Sequence, residues 1–104
     1  MQAAARAVRR AYADMEMRRF GRPWTVEEVM LGFVGDVGDL AKLVQGKAGV
    51  RPREDLDAAL AHELADCLWA VLVLADAYDV ELVSAFERTM SGLTAHLSEE
   101  RRTQ

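Results

Sequence analysis

Between Leu64 and Ala75 the sequence LADCLWAVLVLA carries one charged side chain, Asp66, and is otherwise apolar nearly all the way round a helical wheel. A helix of that kind has no face made for water. It belongs in the middle of a bundle or at a subunit interface. This segment therefore restricts the chain to folds that surround one central helix with others. Only two prolines occur, Pro23 and Pro52, each at a break in the hydrophobic period. Between the breaks no alternation of period two is sustained, while apolar residues recur at spacings of three and four. The expected fold class is all-α, with four helices.

The first helix is expected over about 3–20, with Ala4, Val8, Ala11, Tyr12 and Met15 on its apolar stripe and a stop at Gly21 and Pro23. The second starts at Thr25. Its hydroxyl and Glu28 three residues later form a capping box, and Trp24 with Val29 suits a hydrophobic staple. Val26, Val29, Met30, Phe33, Val37, Leu40, Ala41 and Val44 make its apolar face, and 46–53 reads as a loop. The central helix covers about 54–77. The fourth, about 80–97, shows a single stripe of Val83, Phe86, Met90, Leu93 and Leu97.

At 104 residues the chain is one domain by length, residues 1–104, and a chain this short buries only a limited share of its surface. With so apolar a central helix, its core is expected to be completed by homo-oligomerisation. Thirteen basic against seventeen acidic residues give a net charge of −4, which disfavours a nucleic acid polymer as partner. The lone Cys67 cannot form an internal disulfide and reads as a small core residue in a reducing, cytoplasmic setting. No secretory leader is seen in the arginine-rich start. The longest uncharged apolar run, Cys67 to Ala75, is shorter than the roughly 20 residues of a membrane span, so no membrane is expected as partner.

Most acids lie at helix starts or on the tail, where solvation or the helix dipole accounts for them. Four do not. Asp36 and Asp39, three residues apart in VGDVGDL, share one side of the second helix at the margin of its apolar face. Glu63 and Asp66 repeat the spacing on the third, where Glu63 falls in the sector of Leu56, Leu60, Cys67 and Leu74. A carboxylate turned inward needs a counter-charge, and no lysine or arginine lies between Arg53 and Arg88. Carboxylates on facing helices suit a hard divalent cation, Mg²⁺ or Mn²⁺. The competing account pairs these acids with arginines of the first helix or of a neighbouring subunit. Gly35 and Gly38 speak against it, because two helix-interior glycines imply a close approach by another helix or a ligand.

A D-x-x-D pair, a spacer of twenty-three residues and E-x-x-D on the next helix resemble the acidic signature of the MazG-like all-α nucleoside triphosphate pyrophosphohydrolases. The resemblance covers about 20–97. VGDVGDLAKLVQGK looks like the small single-domain members related to dCTP pyrophosphatases. It implies a MazG-like four-helix bundle in a homodimer or homotetramer, with Asp36, Asp39, Glu63 and Asp66 as Mg²⁺ ligands and catalytic residues. The implied reaction takes a nucleoside triphosphate, as NTP or dNTP and with a pyrimidine or non-canonical base among the candidates, to the monophosphate and pyrophosphate in nucleotide-pool housecleaning. The chain departs from the family where Asp replaces Glu at both second-helix positions, where Gly35 replaces a further Glu and Gly46 an aromatic, and where Thr89 and Leu93 stand for a phosphate-binding Lys and Asn. Lys47, Arg51, Arg53 or Arg88 then has to meet the phosphates, and Trp24 is the candidate for base stacking, although a staple role also fits it. The departures motivate a second reading, a catalytically weakened oligomer of this fold that binds a nucleotide or a protein.

HELAD also imitates the first half of a zinc-protease H-E-x-x-H, but the second histidine is missing and His96 lies on another helix.

Overall fold

The computed structural model describes residues 1–49 and 53–103, and four helices make up almost all of them. They are α1 (Gln2–Phe20), α2 (Val26–Lys47), α3 (Leu56–Ala77) and α4 (Leu82–Thr103). No strand occurs among the described residues. The local signals act where they stand in the sequence. Gly21 closes α1 in the left-handed conformation at φ 78°, its N–H donating to the carbonyl of Met17. The Glu28 N–H donates to Thr25 Oγ1 at 3.1 Å and the Thr25 N–H donates to Glu28 Oε1 at 3.1 Å, completing the capping box of α2. Asp79 turns the chain from α3 to α4 at φ 55°, a left-handed conformation that short polar side chains tolerate. Arg51 and Pro52 lie outside the described residues.

α2 and α3 form an antiparallel hairpin along their lengths, and α1 packs on α3 so that residues of all three helices line one cleft. The hairpin is clasped near its turn by Lys47 Nζ on Asp57 Oδ1 at 2.6 Å. α1 is docked by Trp69 Nε1 donating to the Ala5 carbonyl at 3.3 Å, by Arg6 on Asp76 at 2.9 Å, and by the tilted rings of Tyr12 and Trp69, 5.6 Å apart. Val29 and Leu43 of α2 are buried with Ala70, Leu72, Val73 and Ala75 of α3.

Three expectations about faces need correction. In α1 the buried residues are Ala5 and Glu16, while Val8 and Tyr12 of the expected stripe stay exposed. In α2 the expected residues Val29, Phe33, Leu40 and Val26 are buried or partly buried and are joined by Asp36 and Leu43, whereas Met30, Val37 and Val44 are exposed. Both sets keep a helical spacing, so the period alone does not choose between them. Third, α3 is not enclosed within its own chain, since Leu64 and Leu68 remain 52% and 42% exposed, which removes the middle-of-the-bundle alternative and leaves the subunit-interface one untouched. By length and composition this helix reaches the range of a membrane span, although its uncharged run alone falls short.

α4 stands apart. It runs six residues beyond the expected end and packs against no other helix beyond a glancing contact. The chain is correspondingly elongated, 60 × 39 × 21 Å with a radius of gyration of 17.8 Å, against about 13 Å for a compact unit of about 100 residues.

Candidate metal centre and adjoining cleft

The antiparallel hairpin sets the middle of α2 opposite the first half of α3, and three acids meet there. Asp36, Asp39 and Glu63 each offer a carboxylate oxygen within 4.8 Å of the others. Asp36 and Glu63 are partly buried and Asp39 is exposed, so the trio spans the seam from its interior to its rim. Among the described residues no lysine or arginine bonds to any of them. No first-helix arginine pairs with them within the chain, and two of those arginines, Arg6 and Arg9, are engaged by Asp76 and Glu16.

Glu63 is the most desolvated member of this arrangement. Its Oε1 is buried without a hydrogen-bond partner. Burial pushes its carboxyl above the ordinary value of 4.5, and the Asp36, Asp66 and Asp39 charges push the same way against a smaller opposing effect of His62. Burial, with the same acidic field, also raises the Cys67 thiol, which is partly buried.

Asp66, the fourth expected ligand, does not join the three. It faces His62 one turn back, Nε2 to Oδ2 at 3.1 Å, on a well-exposed part of α3. Gly35 and Gly38 meet nothing among the described residues: a Cβ built on either would have no neighbour within 4 Å, so no described part of the chain makes the close approach expected of them.

Asp36 has a second neighbourhood. It borders a cleft of about 380 Å³ between α1, α2 and α3, walled by Tyr12, Trp24, Phe33 and Trp69. Trp24 lies over Gly32 of α2, where a Cβ would stand 3.5 Å from its ring, consistent with a staple that also forms a cleft wall. Its backbone is held by α1, the N–H donating to Glu16 Oε1 at 2.7 Å and the carbonyl accepting from Arg9. Of the cations expected at phosphate, Lys47 is engaged by Asp57, Arg53 is bonded through two nitrogens to Asp55, and Arg88 sits on the unpacked α4. Instead, Arg9 and Arg19 border the cleft.

The arrangement missed from the sequence is that of Glu16 and Arg9. Their spacing of seven, two turns on one face of α1, was its available signal.

No family model, curated protein or solved structure matches this chain.

Proposed function

We propose that the chain is a divalent-cation-dependent nucleoside triphosphate pyrophosphohydrolase, with its phosphate end at Asp36, Asp39 and Glu63 and its base in the aromatic cleft. The observation that carries this reading is that Asp36 belongs to both places. A cation site and an aromatic slot that share a residue suit a ligand with a polyanionic end and a flat ring. The donor set fits Mg²⁺ or Mn²⁺: three carboxylates converge, one oxygen is buried without a partner, and no basic side chain competes. Such an ion, when bound, neutralises phosphate charge and favours in-line attack by water at phosphorus.

The chain's own residues have separable duties. Asp36 and Asp39, held on one side of α2, present oxygens from a single rigid rod. Glu63 closes the set from α3, and its raised proton affinity suits a carboxylate that orients or deprotonates a water. Asp66, outside the trio, supports it by its charge and by fixing His62. Trp24 and Trp69 offer ring faces to the base. The reaction converts an NTP or dNTP to the monophosphate and pyrophosphate. The exposed row on α4, with Phe86 61% and Leu97 57% exposed, supports a homo-oligomer in which α4 of one copy packs on another.

The test is pyrophosphate release with Mg²⁺ over a panel of common and modified NTPs and dNTPs. Glu63→Gln should lower turnover at least about a hundredfold while the far-ultraviolet helix signal persists. Unchanged turnover overturns the assignment. A second reading, a binding module of the same architecture, is favoured by the engagement of Lys47 and Arg53 in local ion pairs. Nucleotide binding without release at any substrate selects it.

A further inference from the structure

The cleft holds a carboxylate that the acidic trio does not use. Glu16 is 5% exposed, the one buried charged residue among those described. Its two oxygens are treated differently. Oε1 accepts from the Trp24 backbone N–H at 2.7 Å and from Arg9 Nη1 at 3.3 Å. Oε2 takes no hydrogen bond from any described residue. Neither is it sealed in the interior, where Glu63 Oε1 is the sole unpartnered buried side-chain atom described. Glu16 lines the cleft beside Tyr12, Trp24, Phe33 and Trp69. Arg9 offsets its charge, which leaves a held acceptor at the edge of an aromatic slot.

A carboxylate oxygen only accepts. A flat heteroaromatic ring between these walls satisfies it by presenting an N–H at its edge. A ring that presents a carbonyl at that position sets two acceptors against each other and leaves both unpaired, the circumstance in which a polar site rejects a near-isostere most strongly. Resting on the proposed nucleotide site, we infer that Glu16 is a specificity-determining residue, which selects nucleobases bearing an exocyclic amino group over their oxo counterparts.

Two matched pairs test this, cytidine against uridine and adenosine against inosine, each differing at the exocyclic amino or oxo position. Both tryptophans of the chain, Trp24 and Trp69, border the cleft, so their fluorescence reports binding to the full chain without metal or turnover. Cytidine and adenosine should bind at least about tenfold more tightly than uridine and inosine. Glu16→Gln keeps an acceptor for the Trp24 N–H and turns an NH₂ toward the cleft, so the preference should narrow or reverse. Equal affinities within both pairs, absence of binding by all four, or a preference untouched in a folded Glu16→Gln chain overturns the inference. If that variant does not fold, the pairs still decide on the wild-type chain. Discrimination without pyrophosphate release from any triphosphate would sink the hydrolase and leave the amino-selective cleft, whereas hydrolysis with no amino preference would do the reverse.

Discussion

The α2–α3 hairpin and α4 are built from equally long helices and have opposite fates. In the hairpin, each helix spends one apolar row on the other, and the seam has enough closure to strip water from one oxygen of Glu63. α4 has the better separated apolar row, Val83, Phe86, Met90, Leu93 and Leu97, yet every one of these is at least 39% exposed. Amphipathicity therefore shows that a helix needs a partner and is silent on where the partner comes from. Within one chain, α3 takes α1 and α2 as neighbours, and the α4 row is left exposed.

The sharpest way to break that contrast is to charge the α4 row. Phe86→Asp removes up to ~3 kcal/mol of apolar burial from each subunit if α4 packs between copies, so a homodimer, which loses it twice, is weakened by up to about ten-thousandfold. Sedimentation over a concentration series reads this directly. The hairpin should keep its helix content in the resulting monomer. A wild-type chain that sediments as a monomer would remove the explanation given for α4.

Next in size is the response of the seam to pH. Glu63 titrates higher in the folded chain than the 4.5 of an unperturbed glutamate. Below the unfolded value the group is protonated in both states and adds no penalty. As pH rises through the folded value the unfolded chain has already released the proton that the native chain retains, so stability falls. Metal-free wild-type protein should therefore lose stability relative to Glu63→Gln between about pH 4 and about pH 8, whatever the other carboxylates add to both profiles. Added Mg²⁺ or Mn²⁺ should raise the wild-type melting temperature at the upper pH by about 4 °C or more and leave Glu63→Gln nearly unmoved. Melting curves that ignore the cation would remove the ion from the seam.

These two regions also mark what the sequence makes legible. The four helices, the Gly21 stop and the Thr25–Glu28 box follow from interactions within a few residues, and pattern reading finds such things well. The facing of Glu63 toward α2 is likewise written in its sector with Leu60 and Cys67. Pairing between helices is harder. The expected α2 face holds both Val29 and Met30, of which only Val29 is buried, and the side that packs is marked by Leu43, which lies just beyond the edge of the expected face and is buried. Asp66 repeats the spacing of Asp36 and Asp39 but has His62 four residues earlier, close enough on its own helix to claim it. Glu16 was hidden because an acid on an arginine-rich helix reads as solvated. What buries it is the return of the chain at Trp24, a contact across the turn that no helical period encodes.

The different placements of Glu63 and Asp66 sharpen the comparison within the seam itself. Asp66→Asn leaves the three converging oxygens in place and removes one of the charges that raise Glu63. Turnover should fall by less than about tenfold, against at least about a hundredfold for Glu63→Gln. Equal losses would mean that Asp66 swings into the trio when the ion binds.

The smallest effect separates the two regions by how each helix is started. Thr25 caps α2 inside the packed hairpin, so Thr25→Ala should cost about 1 kcal/mol and lower the global melting temperature by about 4–8 °C. At α4 the corresponding device is Glu81, whose Oε2 accepts from the Ser84 N–H at 3.0 Å and its hydroxyl at 2.5 Å. Because α4 is anchored to no other helix of its own chain, Glu81→Ala should speed amide exchange through the first turn of α4 and leave the melting of the hairpin in place. A global destabilisation by Glu81→Ala equal to that of Thr25→Ala would show that α4 folds as one unit with the seam, which its lack of packing within the chain argues against.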